Sequence, residues 1–255
     1  MTNDLISIIT PTYNSEEYIA FTIESILNQS YKNWELLITD DFSSDNTVSI
    51  INSFISKDDR IHLYQFDNNL GSAFARNNSI KLSKGNFIAF CDSDDIWDKT
   101  KLKKQVYFMK KNNISFSFTG YEIINKLGDS IGKTIDSSHK GSFSYKDMLS
   151  KKATLGCSTV ILKKSSFNGL LVMPEIRTGQ DYALWLKLLK NTNHQAYVLS
   201  EILSKYRISP NSISRNKFKK AKRQWFIYRQ FENLNTFKTI YYFCFYAFRA
   251  VFKTS

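Results

Sequence analysis

Asp92-Ser93-Asp94 places two carboxylates two residues apart, directly after the apolar run Phe87 to Cys91. Acids at that spacing, at the end of a buried strand, can aim at one hard divalent cation and leave its other positions to phosphate oxygens. A bare acidic triplet is common, and its ordinary role is a solvated turn that caps the next helix. Its place after a strand puts the two readings on an equal footing. Asp40-Asp41 stands in the same relation to the run Trp34 to Thr39, and alone it reads as an Asx turn or helix cap. Thr10-Pro11-Thr12-Tyr13-Asn14 closes the run that begins at Ile6. Arg76 is by default a helix-surface charge, and it becomes a phosphate partner where a diphosphate lies near. Asp181 opens an amphipathic stretch, a position where the helix dipole favours an acid whatever its function.

These residues need a scaffold that gathers strand ends. Short β-branched runs alternate with helical patterns through the first half of the chain, the rhythm of βαβ units and a mainly parallel sheet. Strands are expected at Ile6 to Thr10, Trp34 to Thr39, Ile61 to Gln65 and Phe87 to Cys91. Ser15 is a candidate N-cap for a helix with Ile19, Ile23, Ile26 and Leu27 on one face, and Asp45 or Asn46 for one presenting Val48, Ile51, Phe54 and Ile55. Further helices are expected over Ser72 to Ser83 and Lys99 to Lys111. Beyond these, Ser115 to Asn125, a Gly128-Asp129 turn and Ser158 to Leu162 read as antiparallel or mixed strands, and Gly179 to Leu189 as an amphipathic helix. In open α/β sheets ligands bind beyond the carboxyl ends of the strands, so the three loaded strand ends should converge on one edge.

The 255 residues, 42% hydrophobic and 23% charged, are enough to bury a core and exclude a disordered chain. Cys91, Cys157 and Cys244 are odd in number and far apart, which excludes a disulfide framework or zinc motif and fits reduced thiols in a cytosol. Neither a secretory signal nor a spanning apolar run is evident. His62, His139 and His194 show no ligand spacing, and Cys91 reads as core packing. The net charge of +12 is concentrated: from Lys205 onward there are seven Lys and five Arg against one acid, Glu232. Rings such as Trp225, Tyr228, Phe231 and Tyr241 are interleaved with these cations. Residues 1–214 are therefore expected to form a catalytic domain and 215–255 a helical, basic, aromatic segment that docks on a membrane surface or a partner. No nucleic-acid motif accompanies the charge, so nucleic acid is not an expected partner.

Taken in order and spacing, six stretches are similar to the inverting nucleotide-sugar glycosyltransferases of family 2, with the GT-A fold. They are SIITPTYNSEEYIAFTIESILNQSY, ELLITDDFSSDNT, NLGSAFARNNSI, GNFIAFCDSDDIW, GQDYALWLKLL and YRISPNSIS, within residues 5–215. The resemblance implies a Rossmann-like, mainly parallel sheet flanked by helices. It implies that Pro11, Tyr13 and Asp41 hold the nucleoside and that Arg76 approaches the nucleotide or its phosphates. Asp94 would bind Mg²⁺ or Mn²⁺, with Asp92 and Ser93 completing the nucleotide and ribose contacts. Asp181 would be the catalytic base, and Arg207, Ser212 and Ser214 match a segment that can fold over the diphosphate. Two departures stand out: the acidic pair usual at the helix start appears as Gln180-Asp181, and no QxxRW follows, which argues against a processive synthase.

The implied activity is metal-dependent, non-processive transfer from a nucleoside-diphosphate sugar, UDP-linked by expectation. The acceptor would be a glycan or lipid-linked glycan precursor of lipopolysaccharide or capsule, met on the inner face of the cytoplasmic membrane. The alternative is a noncatalytic nucleotide-sugar-binding protein that docks through its basic tail.

Overall fold

The run from Ile6 to Thr12 is apolar on alternate sides, Ile6 and Ile8 packing into one core and Ile9 into the other. It forms β1 of a computed structural model that describes residues 4–208 and 217–252. A strand buried on both faces belongs inside a parallel sheet covered by helices. Its neighbours are β2 (Trp34–Asp40) and β4 (Phe87–Phe90), both parallel to it, and β3 (Ile61–Gln65) continues beyond β2.

Three helices cover one face: α1 (Ile19–Leu27), α2 (Thr47–Ile55) and α4 (Lys101–Lys111). They contribute Ile23, Ile51 and Leu102 to a shared core. On the other face lie α3 (Ser72–Leu82), the short α5 (Tyr145–Leu149) and α6 (Gln180–Asn191). Trp185 of α6, fully buried, packs edge-on against Phe90 and Phe116 at centroid distances of 5.4 Å each.

The remaining strands are β5 (Ile96–Trp97), β6 (Phe116–Ile124), β7 (Ser130–Ile135), β8 (Ser142–Phe143), β9 (Ile161–Lys163) and β10 (Ala196–Arg207). Among the described residues the main path runs β3-β2-β1-β4-β9-β6-β10-β5, with β9 antiparallel to both neighbours and β6 parallel to β10. The expected α/β architecture is present, with β7 closing a hairpin on β6 across the Gly128-Asp129 turn.

Two local expectations are corrected. Ser15 does not cap α1 with its side chain; its carbonyl accepts from the N–H groups of Tyr18 and Ile19, and its hydroxyl is engaged by Ser93 at 2.9 Å. Ser158 to Leu162 is not one strand, because Cys157–Thr159 forms a 3₁₀ turn before β9. Asp45 does accept from the N–H of Thr47 at 3.0 Å at the start of α2.

The C-terminal segment holds α7 (Lys217–Phe226), a π-turn over Ile227–Phe231 and α8 (Thr236–Phe252). Ile227 and Tyr228 are fully buried in the same core as Trp185, and the Tyr228 hydroxyl donates to the Leu149 carbonyl at 2.5 Å. Phe218, Phe237 and Phe248 instead stand 90%, 86% and 61% exposed. The expected division at 214/215 lies outside the described residues.

Candidate active site

Parallel register brings the strand ends level. Thr12 pairs with Asp40 across β1 and β2, and the N–H of Cys91, just past β4, reaches the Ile9 carbonyl at 3.1 Å. The loops beyond are tied to one another. Asn14 accepts from the N–H of Ser44 at 2.9 Å, and Thr22 of α1 donates to the carbonyls of Ser93 and Asp95 at 3.0 and 2.8 Å. The first bond ties two loops together and the Thr22 bonds anchor a third to α1, which is how a rigid scaffold positions functional residues.

The result is an open cleft of about 720 Å³ at the strand ends. Pro11, Tyr13 and Asp41 border it on the β1–β2 side, and Arg76, Asp92, Ser93 and Asp94 in its middle. Asp181, from the first turn of α6, borders it opposite. Residues far apart in the chain thus share one cavity. Ser212 and Ser214 lie outside the described residues.

Tyr13 is half exposed at the rim, a ring free to pack on a ligand. Asp41 is buried, and its carboxylate already accepts from the N–H groups of Leu70 and Gly71 at 2.7 and 2.8 Å. It therefore holds the start of α3 as well as facing the cleft. Gly71, with φ +101, supplies the backbone turn there that a side chain would resist.

Arg76, inside α3, is buried rather than on the surface, and one guanidinium nitrogen contacts Asp92 at 2.5 Å. Burial opposes its charge and the Asp92 carboxylate more than compensates, so the guanidinium stays protonated above its ordinary value. Its Nε has no partner among the described residues. Gln180, oriented by its surroundings, accepts from Arg76 at 2.9 Å and from Ser72 at 2.5 Å while its NH₂ donates to the Ile176 carbonyl at 3.0 Å. A neutral amide in this place leaves Arg76 with one carboxylate neighbour at bonding distance rather than two.

Asp94 is pushed up to about 6, first by burial and then by the charge of Asp92. Behind it, fully buried Asp95 accepts from Ser158 Oγ at 2.5 Å and from the Arg207 N–H at 3.0 Å, and burial raises it well above the carboxylate range. Arg207, at the end of β10, donates to the Asp94, Asn125 and Lys126 carbonyls at 3.0, 3.2 and 2.8 Å. It fastens the acidic turn to the β6–β7 connection. No group of three or more His, Cys, Asp or Glu that could hold a metal occurs among the described residues. A desolvated carboxylate beside a second one nonetheless suits a hard cation whose other ligands are phosphate oxygens and water.

Tyr18, Cys157, Arg177, Tyr206 and Arg223 also border the cleft, and none was singled out for it from sequence. Arg223 arrives on α7 and Cys157 in the 3₁₀ turn, so only the tertiary path brings them here. For Tyr206 and Arg207 a signal did exist, since they lead into the YRISPNSIS stretch.

A sequence profile described as Glycosyl transferase family 2 matches residues 7–170. The chain is 44% identical over 255 residues to TuaG of Bacillus subtilis (strain 168), named as a teichuronic acid biosynthesis glycosyltransferase, covering 99% of each. It is 44% identical over 242 residues to WfgD of Escherichia coli, covering 95% of this chain and 92% of that protein. WfgD is named a UDP-Glc:alpha-D-GlcNAc-diphosphoundecaprenol beta-1,3-glucosyltransferase. Among solved structures, S. aureus TarS 1-349 in complex with UDP-GlcNAc superposes with a TM-score of 0.76 at 21% identity, covering 97% of this chain and 73% of that one. The likeness to TarS agrees with the GT-A architecture expected from sequence.

Proposed function

The chain belongs to glycosyltransferase family 2, and from that premise we infer that it moves a hexose from a UDP-sugar onto a hydroxyl of a lipid-diphosphate-linked glycan precursor. The observation that carries this reading is the shared cleft: nucleoside-side residues, an acidic turn and an isolated helix-start carboxylate all border one cavity. The names of WfgD, which include UDP-Glc and a diphosphoundecaprenol sugar, and of the UDP-GlcNAc complex of TarS support the donor and acceptor classes.

In this scheme the uracil and ribose lie along Pro11 and Tyr13, near Asp41. Arg76 draws the donor phosphates toward its unpartnered Nε, and Asp92 holds Arg76 in place. Asp94, aided by Asp92, is the residue that would hold Mg²⁺ or Mn²⁺, and such a cation when bound neutralises charge on the departing diphosphate. Asp181 takes the proton of the acceptor hydroxyl as that oxygen attacks the anomeric carbon from the side opposite the diphosphate. The bond from the new oxygen forms, the bond to the diphosphate breaks, and the configuration inverts. Gln180 orients Arg76 and Ser72 and has no basic group to share that work.

No helix among the described residues is long and apolar enough to cross a membrane. The exposed rings of α7 and α8, set among lysines and arginines, suit peripheral binding to an anionic membrane face, where each nearby cation contributes about 1 kcal/mol. The reading is tested with a panel of UDP- and GDP-sugars, with Mn²⁺ or Mg²⁺ and a short-chain N-acetylglucosaminyl diphosphate acceptor. Turnover of a UDP-sugar that stops on chelation is the expected result. Nucleotide binding with no turnover across the panel would favour the noncatalytic alternative.

A further inference from the structure

The cleft carries positive charge that the donor chemistry does not use. Arg223 of α7 and Arg177, just before α6, border it together with Asp181. Arg223 lies against Gly179, the residue that opens α6; a Cβ there would meet Arg223 Cδ at 3.0 Å and Nε at 3.2 Å. Lys220 is three positions before Arg223 and so lies on the same side of α7. Lys151 sits over the Tyr182 ring at 3.2 Å.

Lys151, Lys220 and Arg223 crowd one another. Burial, and then the charge of Arg223, pushes Lys151 down to about 7 and lowers Lys220 as well. None of Lys151, Arg177, Lys220 and Arg223 takes part in an ion pair among the described residues. Two acids act on Lys151, Asp181 and Asp136. Asp136 is occupied by the N–H groups of Thr154 and Leu155 and by His139, which leaves Asp181 in the cleft.

We propose that Arg223, with Lys220 and Lys151, forms a subsite beside Asp181 for the diphosphate of the lipid-linked acceptor. This rests on the functional reading above. In such an acceptor one sugar ring separates the reacting hydroxyl from the diphosphate, so the base and an anion-binding group must border the same cavity, as Asp181 and Arg223 do; Lys151 and Lys220 add charge beside Arg223. Arg76 and Arg207, in contrast, are engaged by Asp92 and by the carbonyls around the acidic turn, on the donor side. Helix α7 also carries Phe218 and Phe226, 90% and 45% exposed, so a lipid leaving the diphosphate would run onto an aromatic surface.

The test uses the full chain, UDP, and two probes measured by calorimetry: a short-chain alkyl N-acetylglucosaminyl α-diphosphate and the same sugar as a neutral alkyl α-glycoside. The wild type should prefer the diphosphate by about 10-fold or more, Arg223→Ala should remove the preference, and Arg223→Lys should keep part of it. UDP affinity should be the same in all three. Lys220→Ala, at a half-exposed position, should weaken the preference in the same direction even if Arg223→Ala fails to fold. A wild type with no preference, a preference that survives both alanine variants, or a loss of UDP affinity in Arg223→Ala would overturn the subsite. Flotation with phosphatidylglycerol vesicles separates the other phosphate source. If Arg223→Ala stops vesicle binding and leaves the diphosphate preference intact, these cations read lipid headgroups and the proposal fails. Binding preference without turnover by the wild type would sink the transferase reading and leave the subsite standing.

Discussion

Tyr13, Asp41 and Asp94 sit on loops placed by strand register, whereas Arg223 sits on a helix placed by side-chain packing. At the strand ends, β1, β2 and β4 are buried on both faces and their pairing admits no slippage without exposing apolar residues. The loops that follow are then braced by bonds such as Thr22 to Ser93 and Asp95. In the C-terminal segment one surface of the chain inserts Ile227 and Tyr228 into the core, while another leaves Phe237 and Phe248 in solvent. The strand-end half can aim carboxylates at a small polar ligand; the helical half can join a cleft to an extended surface.

The largest expected effect falls on the strand-end and α6 chemistry. Asp181→Asn keeps size and hydrogen bonding and removes the proton acceptor, so transfer should fall by about 10²–10⁴-fold. Measured beside it, UDP affinity should hold; near-wild-type transfer would require another base.

Tyr228→Ala asks whether the C-terminal segment is part of the folding unit. Tyr228 is fully buried with its hydroxyl bonded to Leu149, so truncation should cost about 3–5 kcal/mol and lower the melting temperature by about 10 °C. An unchanged melting temperature would show that this segment does not contribute to the core. Truncation before Arg215 should then destabilise the whole domain rather than release a passive tail.

The pH response of the acidic turn is a smaller effect with a defined sign. Asp94 lies at about 6 in the folded protein against an ordinary 3.8. A raised carboxylate contributes stability that is fully present below the unfolded value and is lost as pH rises through the folded one. In metal-free protein this contribution should therefore fade between those values. Protection by Mn²⁺ should show the opposite trend, growing as pH rises through about 6, because proton and cation compete for the same carboxylate. Thermal unfolding across this window, with and without Mn²⁺, checks both; in Asp94→Ala the metal response should disappear.

Phe237→Ala gives the smallest change. At 86% exposure the ring contributes within about 0.5 kcal/mol to stability, so melting should not move while flotation with anionic vesicles declines. A large stability loss with unchanged flotation would place the ring in an interface instead.

How much of this was legible beforehand follows the same division. Strand ends announce themselves, because an apolar run stopping at Asp92 or Asp40 marks both the element and the edge it reaches. Arg76 read as a surface charge because α3 has only a weak apolar pattern, and the Asp92 and Gln180 side chains that engage it come from distant parts of the chain. Strand β10 passed unrecognised, since its alternation is broken by Glu201 and by register shifts between Leu199 and Ser204. In α7 and α8 the aromatic composition pointed to docking on a membrane surface or a partner, whereas Ile227 and Tyr228 enter the core. Which ring goes where depends on Gly179 and Leu149, contacts with no local trace in the sequence.

The anomeric configuration of the product made from α-linked UDP-sugar, read by proton NMR, tests the central claim most directly. A single displacement with Asp181 as the only base yields a β linkage. An α-linked product would require a different mechanism and would contradict the role assigned to Asp181.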